Sequence, residues 1–276
     1  MMGKLSTYWY LMLAEMSSRA SVIKIKINGL CVNKCSFCMF HSDPRRLEVA
    51  DLERFFDMLD QPGYRRIDIN GGEPSMHPGF AEVCAFLRTR RTGGVRLYLG
   101  TNLIPFARNS EKYRRRWQAA LDTYDIVSVG CDDEHGNIEH LENLGPEIVQ
   151  SGRLLFVNVM EDHCSPETRQ RVVALKERLG MRVTYSSVHH YPQAGRAQSN
   201  RQAPCRRRTK ELLLNCDGNA YFCFHQEFAQ PLFNLHTVTR QDLNYYLNEY
   251  DPPPYEFCAQ CPLYSPERQI PLLSRR

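Results

Sequence analysis

The chain has 276 residues, 42% of them hydrophobic and 24% charged, with a formal net charge of +4. This balance excludes an intrinsically disordered chain and gives no electrostatic case for nucleic acid as a partner. A core of ordinary size can form without disulfides.

The basic runs at residues 88–91, 114–116 and 205–210 read as solvated helix faces. The apolar stretch 8–16 is too short to span a bilayer and contains Glu15, so it predicts an N-terminal helix over residues 1–20. With no secretory signal and no membrane span, the expected location is the cytoplasm. Eleven cysteines are then unusual, because clustered thiols in a reducing compartment point to metal or redox chemistry.

Short runs rich in Val, Ile, Leu and Tyr predict strands at 22–28, 66–70, 95–100, 125–130, 154–160 and 182–188. Helical spacing fills the gaps. Val49, Leu52, Phe55, Phe56 and Leu59 mark a helix over 49–59, and others follow at 80–87, 113–121, 138–149 and 167–179. Ser165 and Pro166 are a start signal for the last of these, and Gly180 is its stop. Six strand–helix repeats imply right-handed crossovers and a parallel sheet. They are too few for a closed eight-stranded barrel, so the expected fold is an α/β partial (β/α)6 TIM-like barrel over residues 21–190.

The pattern changes at residues 191–204, which are polar and turn-rich. Residues 212–215 and 220–224 then predict a β-hairpin around a Cys-Asp-Gly-Asn turn. Three prolines, Pro252 to Pro254, precede Cys258-Ala-Gln-Cys261. This 191–276 region has little apolar material of its own, and a metal site would supply what packing cannot.

The segment Cys31-Val-Asn-Lys-Cys35-Ser-Phe-Cys38 follows the first predicted strand. It therefore falls at a strand's C-terminal end, where parallel barrels carry their chemistry. Three thiolates hold three irons of a [4Fe–4S] cube and leave the fourth open, whereas electron-transfer clusters use four. A zinc site is the alternative, weakened by the lack of a nearby fourth cysteine.

The Cys-x3-Cys-x2-Cys spacing, with Phe37 before the last cysteine, resembles the radical S-adenosylmethionine (SAM) superfamily. Gly71-Gly72-Glu73-Pro74 after the second predicted strand matches that family's GGEP element. The resemblance implies that the open iron chelates SAM and that a 5′-deoxyadenosyl radical takes a hydrogen atom from substrate. It implies that Phe37 contacts the adenine and that Gly71, Gly72, Glu73 and Pro74 hold the amino group. Asn102, in Gly100-Thr101-Asn102, is similar to a strand-end element of the family, and Ser128 and Asp132 fall where the ribose is contacted. Ser128 and Asp132 read equally well as a core serine and a helix cap.

Cys205, Gly218 with Cys223 five residues on, and the Cys258–Cys261 pair resemble the auxiliary-cluster region of the SPASM/twitch subfamilies. With no cysteine after Cys261, the shorter twitch form with one additional [4Fe–4S] cluster is implied. Structural zinc on the same four cysteines is the alternative. Arg196, in a Gly-Arg-Ala element, is a candidate substrate-binding or basic group, or an anchor for the small domain.

Two reactions are open. Oxidation of a secondary alcohol needs an electron acceptor, which an auxiliary cluster provides. Epimerisation of a sugar or peptide residue needs a hydrogen donor, for which Cys131 and Cys164 are candidates; a buried free cysteine is the plain alternative. His189 and His190 could bind hydroxyl or amino groups. The compact twitch enzymes that the chain resembles include an aminocyclitol dehydrogenase of antibiotic biosynthesis. A small polar substrate such as an aminocyclitol or sugar is therefore expected, with dehydrogenation ahead of epimerisation. The resemblance also implies an external electron donor such as flavodoxin or ferredoxin, while the mild charge and the short apolar stretch lead to no expectation of nucleic acid or membrane as partner.

Overall fold

In the computed structural model, residues 22–38, 43–59, 64–91, 93–186, 211–222 and 231–249 are described. The predicted N-terminal helix, His189, His190, Arg196, Cys205, Cys223, Cys258 and Cys261 lie outside them.

Strand Val22–Lys26 (β1) buries Ile23 and Ile25 on one face and carries Lys24 and Lys26 on the other, as a period of two requires. The predicted 22–28 strand is interrupted after Lys26, because Asn28–Gly29 (β2) turns away to pair antiparallel with Asp43–Arg46 (β3). Helix Val49–Met58 (α1) opens on a capping box between Glu48 and Asp51 and buries Leu52, Phe55 and Phe56.

Alternation then runs without a break. Arg66–Asn70 (β4) leads to Phe80–Arg90 (α2), and Arg96–Thr101 (β5) to Glu111–Thr123 (α3). Ile126–Gly130 (β6) leads to Ile138–Gln150 (α4), and Leu154–Met160 (β7) to Pro166–Leu179 (α5) and Arg182–Ser186 (β8). The start and stop expected for α5 are present: Ser165 Oγ accepts the Thr168 N–H, and Gly180 adopts φ +63°.

Strands β1, β4, β5, β6, β7 and β8 are parallel neighbours in that order, the six strands anticipated from the sequence, with five helices between them. The hairpin forms too, but it also extends this sheet. Glu211–Leu214 (β9) pairs parallel with β1, and Asn219–Tyr221 (β10) and Phe233–Asn234 (β11) add antiparallel strands beyond it. Leu212 and Leu214 enter the common core, and Lys24 reaches Glu211 at 2.6 Å. Helix Arg240–Asn248 (α6) ends the described chain. No described helix is long and apolar enough to cross a membrane.

One face of the sheet sets the site. Ile23, Ile25, Ile67, Ile69, Leu97, Leu99, Val127, Val129 and Val157 join Leu52, Phe55, Leu87, Trp117, Leu141 and Val172 of the helices in one cluster. The alternate residues, among them Asp68, Tyr98, Ser128, Asn158 and Thr184, make a polar inner face. Towards the strands' N-terminal ends Arg66 chelates Asp68 at 2.5 and 2.6 Å and lies 3.8 Å over the Tyr98 ring, while Arg182 covers Phe156. The C-terminal ends carry the cysteine segment.

Candidate active site

The cysteine segment is held first by the end of β4. Gly72 N–H donates to Asn28 O at 2.8 Å, and Glu73 N–H to Leu30 O at 2.6 Å. A Cβ on Gly72 would sit 2.3 Å from Leu30 O, and one on Gly71 would sit 2.8 Å from Asn28 O. Where the sequence suggests glycines that admit a ligand, the close neighbour is the backbone leading to Cys31. Pro74 opens a buried 3₁₀ turn, Pro74–Met76, capped by Glu73.

Glu73 itself is fully buried. Its carboxylate accepts Ser75 N–H at 3.1 Å, Ser75 O–H at 2.6 Å, Thr101 O–H at 3.0 Å and Asn102 N–H at 2.8 Å. Burial pushes its pKa up, and these donors oppose the rise. The same carboxylate thus organises the end of β5. It fixes Asn102, whose Nδ2 donates to Cys31 Sγ at 3.6 Å and whose Oδ1 accepts Ile104 N–H at 3.0 Å.

Cys31 Sγ also accepts Asn33 N–H at 3.4 Å. Burial pushes the Cys31 thiol up, opposed by that N–H, and it pushes Cys35 up to about 12 with help from the Asp132 charge. These two thiols stay protonated when free, and a metal that binds them displaces the protons. Among the described residues no three His, Cys, Asp or Glu side chains converge on one metal-ion position. A single zinc draws its sulfurs to about 3.8 Å of one another, given its bond lengths, whereas a cube gives each thiolate its own iron. Three thiols on one loop, with two N–H donors already on the Cys31 sulfur, fit the cube.

The other side of the segment rests on the loop after β6. Phe37 lies 5.6 Å from the His135 ring and 5.0 Å from that of His163. Asp132, buried, takes both His135 N–H and the ring Nδ1, at 2.9 and 2.8 Å. Asn137 ties this loop down by donating to Gly130 O and Asn102 O, both at 2.7 Å. Ser128 stands on the polar inner face and accepts from Asn158 Nδ2 at 2.7 Å, and Thr184 O–H donates to Asn158 Oδ1 at 2.5 Å.

Cys31, Cys35, Cys38, Phe37, Glu73 and Asn102 therefore come together. Cys131 and Cys164 do not. Cys131 is fully buried in the helix-side core and Cys164 packs against it. Burial pushes the Cys131 thiol up to about 12 and raises that of Cys164. Sequence reasoning missed Asn33, Glu134, His135, Asn137 and His163; the signal available for the last four was their position just past β6 and β7, where this fold collects chemistry.

Residues 25–149 match the family model of the Radical SAM superfamily. That stretch, just under half of the chain, is a radical SAM domain. Such a domain implies a [4Fe–4S] cluster and SAM. The S-adenosylmethionine-dependent nucleotide dehydratase RSAD2 of Oncorhynchus mykiss is 25% identical over 150 residues, 48% of this chain and 40% of that protein. The GTP 3′,8-cyclase of Chlorobaculum tepidum is 28% identical over 64 residues, 22% of this chain and 19% of that one. The chain thus spans less than half the length of these curated relatives. Streptococcus suis SuiB, crystallised with its precursor peptide SuiA, superposes with a TM-score of 0.64 at 12% identity, covering 88% of this chain and 68% of its own. Native anSMEcpe with bound AdoMet and the Cp18Cys peptide gives 0.55 at 13% identity, covering 87% of each chain. These two likenesses are of fold.

Proposed function

We propose that this protein is a radical SAM enzyme that oxidises a secondary alcohol of a small polar substrate, an aminocyclitol or a sugar. Cys31, Cys35 and Cys38 would hold the cluster, and the ends of β4 and β5 would hold SAM beside it. When bound, that pair supplies a 5′-deoxyadenosyl radical able to take a hydrogen atom from carbon.

The observation that carries the substrate class is the row Ser128, Asn158 and Thr184, whose hydroxyl and amide groups are linked on the inner face. Such groups both donate and accept, as a polyhydroxylated ligand does. Arg66 and Asp68 pair with each other below them, which leaves that end of the sheet occupied by protein.

The fate of the radical separates the reactions. Epimerisation needs a thiol near the inner face, and the two cysteines expected to serve, Cys131 and Cys164, lie in or against the helix-side core. Their placement favours oxidation. Alcohol oxidation releases a hydrogen atom, a proton and an electron, so a one-electron acceptor is required. Cys205, Cys223, Cys258 and Cys261 are the proposed ligands of a twitch-like auxiliary [4Fe–4S] cluster in residues 191–276, and Arg196 is a proposed substrate contact. A flavodoxin or ferredoxin would supply the initiating electron.

Anaerobic reconstitution, an iron and sulfide count, and incubation with reductant, SAM and a panel of aminocyclitols and sugars test this reading. Roughly eight irons per chain, 5′-deoxyadenosine and a product lighter by two hydrogens support it. In deuterated water, one deuterium at an inverted carbon would establish epimerisation instead. Zinc without sulfide overturns both.

A further inference from the structure

Between the loop joining β6 to α4 and the cysteine segment sits a contact that the radical SAM motifs do not account for. The segment has little structure of its own: within residues 31–38 one backbone hydrogen bond is made, Cys38 N–H to Cys35 O at 3.0 Å. The backbone just before it, at Asn28 and Leu30, is pinned by the end of β4, but Ser36 and Phe37 are beyond that reach. They are met instead by the loop after β6. Both the backbone N–H and the hydroxyl of Ser36 donate to the Glu134 carboxylate, the hydroxyl at 2.5 Å. His163 Nδ1 approaches Glu134 Oε1 at 2.7 Å, and the Cys35 thiol donates to Glu134 O at 3.8 Å. One residue on, His135 O accepts Asn33 Nδ2 at 2.9 Å.

The loop that makes these contacts is itself anchored. Asp133 N–H donates to His163 O at 2.9 Å, and the Asp133 carboxylate takes Ser165 N–H, Ser165 O–H and Thr168 O–H at the start of α5. Asn137 closes its far end on Gly130. A rigid frame of two strand ends and one helix start thus presents a single carboxylate to the middle of the cysteine segment.

We propose that Glu134 is a positioning residue for the cluster-binding segment, clamping Ser36 so that Cys35 and Cys38 are held in place before and after metal loading. The proposal rests on the reading that Cys31, Cys35 and Cys38 hold an iron–sulfur cluster. A carboxylate receiving two hydrogen bonds from one residue fixes that residue's position and orientation together, and breaking both releases the segment. His163 acts through Glu134 by holding its carboxylate in line.

The full-length protein carries the test in two forms. In iron-free protein, alkylation of Cys35 and Cys38 by iodoacetamide is followed peptide by peptide; in reconstituted protein, iron release to a chelator and the spin-resonance spectrum of the reduced cluster with SAM are recorded. E134A should speed alkylation of Cys35 and iron release about tenfold, the loss of a charge-assisted bond, while the melting midpoint stays near that of wild type. E134Q and S36A should each give about threefold, and the S36A/E134A pair should be no worse than E134A alone. The spectrum with SAM should broaden or shift in E134A and recover in E134Q. If E134A does not accumulate, E134Q and S36A carry the comparison. Wild-type rates and spectra in these variants, with wild-type protein loading normally, overturn the clamp alone. Wild-type protein that takes up no iron and sulfide overturns the reading beneath it.

Discussion

The Glu73 carboxylate accepts the backbone N–H of Asn102 at 2.8 Å, and Asn102 turns its side-chain amide onto the Cys31 sulfur at 3.6 Å. The ends of two neighbouring strands are thereby coupled to the first cysteine through one buried acid. Removing the acid leaves the Ser75, Thr101 and Asn102 donors buried without an acceptor, each a group that burial penalises. E73A should therefore lose about 3 kcal/mol of stability in urea unfolding, the upper part of the range for an orphaned buried network. It should also take up less iron. A variant as stable as wild type would remove Glu73 from this structural role.

Asn102 lends itself to a gentler test. An N–H donor on a ligating sulfur stabilises negative charge there, and a reduced cluster carries more of it. N102A removes that donor, together with the acceptor of the Ile104 N–H. The cluster potential should fall by roughly 40 mV, which corresponds to one hydrogen bond of about 1 kcal/mol. A redox titration followed by spin resonance reads the shift, and an unchanged potential would show that the contact does not persist in the loaded protein.

Gly72 and Gly93 make a matched pair. A Cβ on Gly72 meets backbone, with Leu30 O at 2.3 Å and Gly29 O at 2.7 Å, whereas one on Gly93 meets nothing within 4 Å. Backbone cannot rotate out of the way as a side chain can. G72A should push the cysteine segment off the end of β4 and lower iron content severalfold, with a stability loss of about 2 kcal/mol. G93A should leave both within error. Equal behaviour of the two would mean that the close pass beside Leu30 is not needed.

The alternating barrel was legible because both of its signals are local. Val, Ile and Leu at a period of two in β4 and β7, and Leu52, Phe55 and Phe56 on one side of α1, report burial within a dozen residues of sequence. Cysteine spacing is equally local, so Cys31, Cys35 and Cys38 could be read directly. The pairing of β9 with β1 could not, since the partners stand 189 residues apart, at Val22 and Glu211. The same holds for Ser36 and Glu134, 98 residues apart, and for Phe37 with His163. These contacts exist because parallel strands deliver successive loops to one end of the sheet, and nothing in either loop alone announces its partner. Cys131 illustrates the opposite error: a strand-end position suggested chemistry, yet the residue joins the core with Val127 and Val129.

That placement makes a prediction for turnover. C131A removes a buried side chain from a packed cluster and should cost about 1 kcal/mol, while C164A, half-exposed, should cost less. Neither should abolish formation of 5′-deoxyadenosine or of oxidised product under saturating substrate. Product analysis of both variants decides it. Complete loss of product with normal melting behaviour in either would restore a hydrogen-donor role and with it epimerisation.

Asp133 offers a pH-resolved measurement of how firmly the loop after β6 is held. Thr168 O–H, with Ser165 N–H and O–H, donates to its carboxylate, and these bonds hold its pKa below the ordinary aspartate value. A depressed folded-state pKa means that the unfolded chain binds the proton more readily, so folding gains stability above the unfolded pKa near 3.9 and loses it as pH falls through the folded value. The site is exposed, so solvent screening limits the effect, and D133N should cost about 1 kcal/mol at neutral pH. The gap between wild type and D133N in urea unfolding should be constant from about pH 8 to 5 and shrink below about pH 4, because protonated Asp133 then resembles the amide. A gap that persists undiminished in acid would show that Asp133 holds Ser165 and Thr168 by shape and hydrogen bonding alone, without its charge.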